Sequence, residues 1–274
     1  MKESVNKTFN QLKIHTQYSI CEGAVKIDQL KDFCKKNKIK SLGLSDTYNL
    51  SGALDFSENL SSVGTQPIIG TQIIFKYKEL EGLIPLIAKN NEGYKNIIKL
   101  SSKSYLANSE TTTPHCKLDD LLNNSEGIII LTGSINCFFG SLFNKGLFNE
   151  IEELMIKLKD KFQENIYIEI QRHNDLNEKD FENYNLKVSK KLDLPIIASH
   201  EVYYLDKDMF EAHDALMCIG QKTYVNDSTR IKLTNQHYFK SSEEMIELFS
   251  DLPEALENNF NLPYKCSFKP NFSK

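Results

Sequence analysis

Short apolar runs alternate along the chain with longer stretches whose apolar residues recur at helical spacing. Residues 9–14 predict a first strand. Residues 25–37 predict a helix with Val25, Ile27, Leu30, Phe33 and Cys34 on one face. Residues 41–45 predict a short buried strand ending at Asp46, and residues 50–60 a second helix. Residues 67–70 and 73–75 form a third strand region around Gln72, followed by an apolar run over 83–88. Strands are also predicted over 127–132, 166–170 and 194–199. Helices are predicted over 91–105, 150–162, 178–192, 208–218 and 242–249, with a short last one over 253–259. Residues 108–114 read as a loop.

Strands alternating with amphipathic helices imply an α/β fold built on a parallel sheet or barrel. Polar residues fall just past the strands: His15, Asp46, Gln72, Ser134, Arg172-His173 and His200-Glu201. In a (β/α) barrel such positions converge on one face, and an open doubly wound sheet also gathers ligands at strand ends. No Gly-x-Gly-x-x-Gly and no Walker loop is present. In the stretch from Leu12 to Ala24, polar and apolar positions alternate and then stop at Gly23, as at a strand end followed by a turn.

Composition narrows this picture only slightly. The chain has 274 residues, 40% hydrophobic and 26% charged, with a formal net charge of −4. That is ordinary globular composition without the basic surplus of a strong polyphosphate binder. Its six cysteines form no Cys-x-x-Cys pair, which suits reduced thiols in a cytoplasm. The opening Met-Lys-Glu-Ser-Val-Asn-Lys lacks the apolar core of a signal peptide. No apolar run approaches the ~20 residues of a membrane span.

Several motifs, in order, carry a resemblance. They are His15-Thr16-Gln17-Tyr18-Ser19 with Gly23-Ala24, then Leu44-Ser45-Asp46-Thr47-Tyr48-Asn49-Leu50 and Pro67-Ile68-Ile69-Gly70. Ala88 to Tyr94, Ile170-Gln171-Arg172-His173 and Glu211 to Leu216 follow, and the most specific stretches are Tyr238 to Met245 and Leu248 to Leu256. Together they resemble the N-terminal PHP (polymerase and histidinol phosphatase) domain of bacterial replicative DNA polymerase III alpha subunits. The resemblance implies a distorted (β/α) TIM-like barrel over 9–262, after a tail at 1–8. It makes 263–274 the start of a linker to a polymerase palm region.

The PHP pattern also implies a metal site, and here it is degraded. Lys13 stands where the first histidine of His-x-His would be, and His15 keeps the second. Glu22 replaces an aspartate, Thr47 (after Asp46) the histidine of an Asp-His pair, and Gln72 a glutamate. Leu83 replaces a histidine, Ser134 a cysteine, Glu201 an aspartate and Tyr203 a final histidine. Zinc or manganese needs lone pairs in fixed geometry, and an ammonium has none. No Zn²⁺ or Mn²⁺ centre is therefore expected; a lone site at His15, His200 and Glu201 is the remaining candidate. His173 and His213 are read as packing residues. Lys13, two residues from His15, should face the same side. There its charge would stand in for metal beside Glu22, Asp46 and Glu201.

The expected role is a metal-free structural and docking module without catalytic residues, belonging to a DNA-directed DNA polymerase that uses Mg²⁺. The implied partners are a proofreading exonuclease subunit, the sliding clamp, the clamp loader and DNA, with no membrane contact. The rival reading is a metal-dependent 3′–5′ exonuclease or phosphoesterase, which would need the His-x-His and Asp-His pairs that this chain lacks.

Overall fold

The computed structural model describes residues 7–109 and 112–270. The tail at 1–8, the loop at 108–114 and the linker at 263–274 therefore lie partly outside the described residues. The chain opens with β1 (Gln11–Ile14), α1 (Ile27–Asn37), β2 (Ser41–Leu44), β3 (Asp46–Thr47) and α2 (Ala53–Ser61). Then come β4 (Gln66–Ile68), β5 (Gly70–Tyr77), β6 (Leu80–Ala88), α3 (Asn91–Leu106), β7 (His115–Lys117) and α4 (Leu118–Asn123). The middle holds β8 (Ile128–Leu131), α5 (Phe138–Asn144), α6 (Phe148–Phe162), β9 (Ile166–Ile170) and α7 (Glu178–Leu192). The chain closes with β10 (Ile196–Ala198), β11 (Glu201–Val202), α8 (Phe210–Gln221), α9 (Ser242–Leu248) and α10 (Pro253–Lys265).

The fold is α/β. One sheet has the order β11-β1-β2-β4, with every ladder parallel. The other has the order β10-β9-β8-β6-β5-β3, with β7 added on β5. Strand pairing among the described residues does not close the two sheets into one ring. The sheet is also not wholly parallel, as the alternation of elements had suggested. β6 runs antiparallel to both β5 and β8. Only Lys78 and Glu79 separate β5 from β6, with Lys78 at φ 54°. A link that short permits a hairpin and forbids a crossover.

Three apolar clusters hold these layers. The largest packs α3, α5, α6 and α7 against the second sheet, through residues such as Leu100, Phe138, Leu158 and Phe181. The next seals α1 and α2 onto the first sheet, through Leu30, Phe56, Leu42 and Val202. The third draws Leu12, Ile68, Ile87, Ile129, Tyr167 and Ile197 from six strands of both sheets, with Leu262 of α10 beneath them. β1 is irregular in its pairing with β2. Gly43 lets the two backbones approach there, because a Cβ on it would lie 2.1 Å from the Leu12 carbonyl oxygen. α10 runs past the expected end at 259 to Lys265, with Leu262 and Pro263 buried.

Candidate functional site at the strand ends

The ends of β1, β5, β9 and β11 bring Lys13, His15, Gln72, Glu169 and Glu201 together. Lys13 lies opposite Glu201 in the β1–β11 register. Its side chain is 1% exposed, with Nζ 2.8 Å from Glu201 Oε1 and 3.3 Å from Glu169 Oε1. Both contacts are ion pairs between buried groups, and the one to Glu201 is the closer. Gln72 Nε2 donates to Glu201 Oε1 at 2.7 Å and lies 3.3 Å from His15 Nε2. His15 Nε2 is 3.6 Å from Glu201 Oε1, and the Tyr203 ring stacks on the imidazole at 4.2 Å. Gln171 Nε2 donates to Glu169 Oε1 at 2.6 Å. The Cys137 thiol sits 4.0 Å from Gln72 Oε1 and 3.5 Å from the Ser134 hydroxyl.

The charges are strongly coupled. Burial alone would favour a neutral Lys13, but Glu169 and Glu201 outweigh it and hold the ammonium above lysine's ordinary pKa. Burial likewise pushes Glu201 up, but Lys13 and His15 prevail and hold its carboxyl well below the usual range. Cys137 is pushed up to about 11 by burial, with Lys13 pulling the other way.

Two of the acids expected beside Lys13 lie elsewhere. Asp46 accepts from the Thr16 amide at 2.6 Å, the Thr16 hydroxyl at 2.7 Å and the Ser19 hydroxyl at 2.8 Å. The turn after β1 thus claims its carboxylate, although burial still raises its pKa. Glu22 accepts from the Thr47 hydroxyl at 2.6 Å. Glu169, absent from the expected set, takes their place. It is the one charge in a strand that reads Ile-Tyr-Ile-Glu-Ile, a signal that sequence inspection passed over. The expected trio of His15, His200 and Glu201 does not form. His200 Nε2 donates to the Tyr238 carbonyl at 3.0 Å, and its ring stacks on His173 at 4.5 Å. Arg172 also leaves the site, pairing outward with Glu182 and Asp251.

Beside the site, His200, His173 and His237 form a buried column of stacked rings, the last pair 4.1 Å apart and 6° from parallel. His173, Asp175 and His237 bring one potential ligand atom each within 4.8 Å of one another. Their geometry does not suit a metal. His173 Nε2 accepts from the Glu201 amide at 3.2 Å, so Nδ1 carries the proton of the neutral ring.

The PHP domain family profile matches residues 11–173. The chain belongs to the PHP domain family. It is similar to the DNA polymerase III subunit alpha of Caulobacter vibrioides, 32% identical over 277 residues, covering 98% of this chain and 24% of the relative. It is 35% identical over 283 residues to the protein of the same name from Borreliella burgdorferi, covering 98% of this chain and 24% of the relative. The chain thus spans about a quarter of the length of these relatives. Among solved structures, an amidohydrolase from Chromobacterium violaceum is a distant likeness. It has a TM-score of 0.46 and 9% identity, covering 76% of this chain and 96% of that one.

The residues of this PHP domain do not fit the metal centre that the PHP pattern implies. At three ligand positions a donor has replaced a lone pair, and each donor meets a neighbouring acid. Lys13 faces Glu201, Gln72 donates to Glu201, and Thr47 donates to Glu22. Leu83 offers no ligand atom, and the ring of Tyr203 is committed to His15.

Proposed function

We propose that this PHP domain is the N-terminal module of a replicative DNA polymerase III alpha subunit. In this reading it has no nuclease chemistry of its own and serves as a scaffold and docking surface. Similarity to alpha subunits along 95–98% of the chain, at 32–35% identity, carries the reading. The replacement of ligands by donors supports the loss of metal chemistry. The third apolar cluster, fed by six strands of both sheets, supports a distorted (β/α) barrel with the site at its mouth. The complete polymerase would use Mg²⁺ for nucleotidyl transfer. It would act in the cytoplasm on DNA, with the sliding clamp, clamp loader and proofreading exonuclease subunit. No helix among the described residues is long and apolar enough to cross a membrane.

The test incubates the 274-residue chain with a primed template and Mg²⁺, Mn²⁺ or Zn²⁺, with and without the four deoxynucleoside triphosphates. The expected result is that the primer is neither extended nor shortened. Primer shortening that disappears in His15→Ala would overturn the metal-free reading. The chain is also expected to co-elute with the exonuclease subunit of its organism. With a formal charge of −4, it should bind DNA weakly at physiological salt.

A further inference from the structure

Taking the mouth as metal-free, we infer that Glu169 and Glu201 form a cation site whose resident cation is the tethered ammonium of Lys13. Glu169 is not one of the PHP ligand positions, so the site is not the family's centre with a single substitution. β9 delivers a carboxylate from one sheet, and β11 delivers a second from the other. β1 places the ammonium between them, 3.3 Å from the first and 2.8 Å from the second. All three side chains are nearly inaccessible, at 1%, 0% and 8% exposure. Two carboxylates cannot be left so close in a dry interior without a positive charge between them. A divalent ion would supply that charge in a metal-binding relative. Here it is covalently attached, so it cannot be chelated or diluted away.

The neighbours suit an ammonium better than a metal. Gln72 and Gln171 donate to the same two carboxylates, at 2.7 and 2.6 Å. Donors there lower the negative charge density that a divalent ion would require. Nearby, the Cys137 thiol lies 4.0 Å from Gln72 Oε1, and His173 Nε2 accepts from the Glu201 amide, so neither adds a negative charge to the pair. The site therefore resembles an ammonium-recognition pocket more than a vacated metal centre. Its ligand class is a primary ammonium.

The experiment measures the thermal midpoint of the chain and its variants with chelator, with Mn²⁺ and with ethylammonium. The wild-type midpoint is expected to be the same in all three. Lys13→Ala should lower it by roughly 10 °C, and ethylammonium should recover part of that loss whereas Mn²⁺ should not. Lys13→Met fills the volume without charge, so it should be lowered and should not respond to either cation. Lys13→Met combined with Glu169→Gln and Glu201→Gln should recover most of the loss, because no buried charge is left uncompensated. If the single variants fail to fold, a soluble triple variant gives the same answer. A wild-type midpoint that falls in chelator would reveal a resident metal and overturn the inference. So would a Lys13→Met midpoint equal to wild type, or a triple variant no more stable than Lys13→Met. Primer shortening by the wild type would count against the proposed function and leave these midpoints to decide the cation site separately.

Discussion

Acidification from pH 7 to pH 4 is expected to unfold the domain cooperatively, with the loss beginning as pH falls through the ordinary histidine value. His173, His200, His213 and His237 are all buried. His173 is lowered to about 3 by desolvation, with Lys13 and Lys240 adding to it against the pull of Glu201. His200 and His237 are held well below their usual value by burial and by one another's neighbours in the column, and His213 is lowered too. A base whose folded pKa is depressed binds its proton more readily in the unfolded chain. Stability is therefore full above about 6.5 and falls as pH drops from there toward the folded value. His173 alone costs about 3 kcal/mol by pH 4, against about 5–15 kcal/mol for a typical whole domain. Some acids oppose this. Asp175 is raised to about 6 by burial and by Glu178 and Glu201, and Asp46 and Glu178 are also raised. These groups take up protons more readily when folded, so they stabilise the native state in the lower part of the same window. Asp175 offsets most of the His173 loss, which leaves His200, His237 and His213 to decide the sign. Far-UV circular dichroism against pH would show the transition. His200→Asn can keep a donor near the Tyr238 carbonyl while removing one titrating ring, so its midpoint should move to lower pH. An unchanged midpoint in that variant, or full helical signal at pH 3, would show that these rings are not what acid attacks.

The same column shows where the sequence stops being readable. β9 and α7 could be read to the residue, because a strand apolar at every position but Glu169 and a helix with acidic first and basic last turns mark their own ends. His237 lies in the stretch between α8 and α9, which has neither strand nor helix periodicity. Nothing local in the sequence announces that it stacks on His173. Lys13 is an intermediate case. Alternation with His15 placed it inside, but its partners depend on strands far away in sequence. Asp46 was nearer at hand, and its carboxylate was taken by Thr16 and Ser19, whose side chains reach it first. The direction of β6 was also hidden, since an apolar run looks the same read either way. The donor swap was partly legible, because Lys13, Gln72 and Thr47 could each be seen to be poor ligands. That they would turn their protons toward the surviving acids follows only from how distant strands are brought together in the fold.

Asn259→Ala is expected to destabilise the domain by about 3–5 kcal/mol, because it leaves three buried backbone groups without partners. Asn259 is fully buried on α10. Its Oδ1 accepts from the Asn10 amide at 2.8 Å, and its Nδ2 donates to the Asn10 carbonyl at 2.9 Å and the Ala198 carbonyl at 3.0 Å. Asn10 leads into β1 of one sheet, and Ala198 ends β10 of the other. Among the described residues no strand ladder joins β1 to β10, so one amide side chain does the work of the missing backbone pairs. The helix is built to present it. Pro263 has no N–H to give the carbonyl four residues back, which is that of Asn259. Asn10 Nδ2 donates to this carbonyl instead, at 3.0 Å. Each residue thus completes the other's backbone, and neither can be shortened without exposing an orphan. The loss corresponds to a fall in thermal midpoint of roughly 10 °C. Asn259→Asp tells hydrogen bonding from volume. It keeps the shape and the acceptor but sets a carboxylate against two carbonyl oxygens, so it should unfold at a lower temperature than Asn259→Ala. If Asn259→Asp is the more stable of the two, or Asn259→Ala unfolds within about 2 °C of wild type, the two sheets are held together on this side by packing alone.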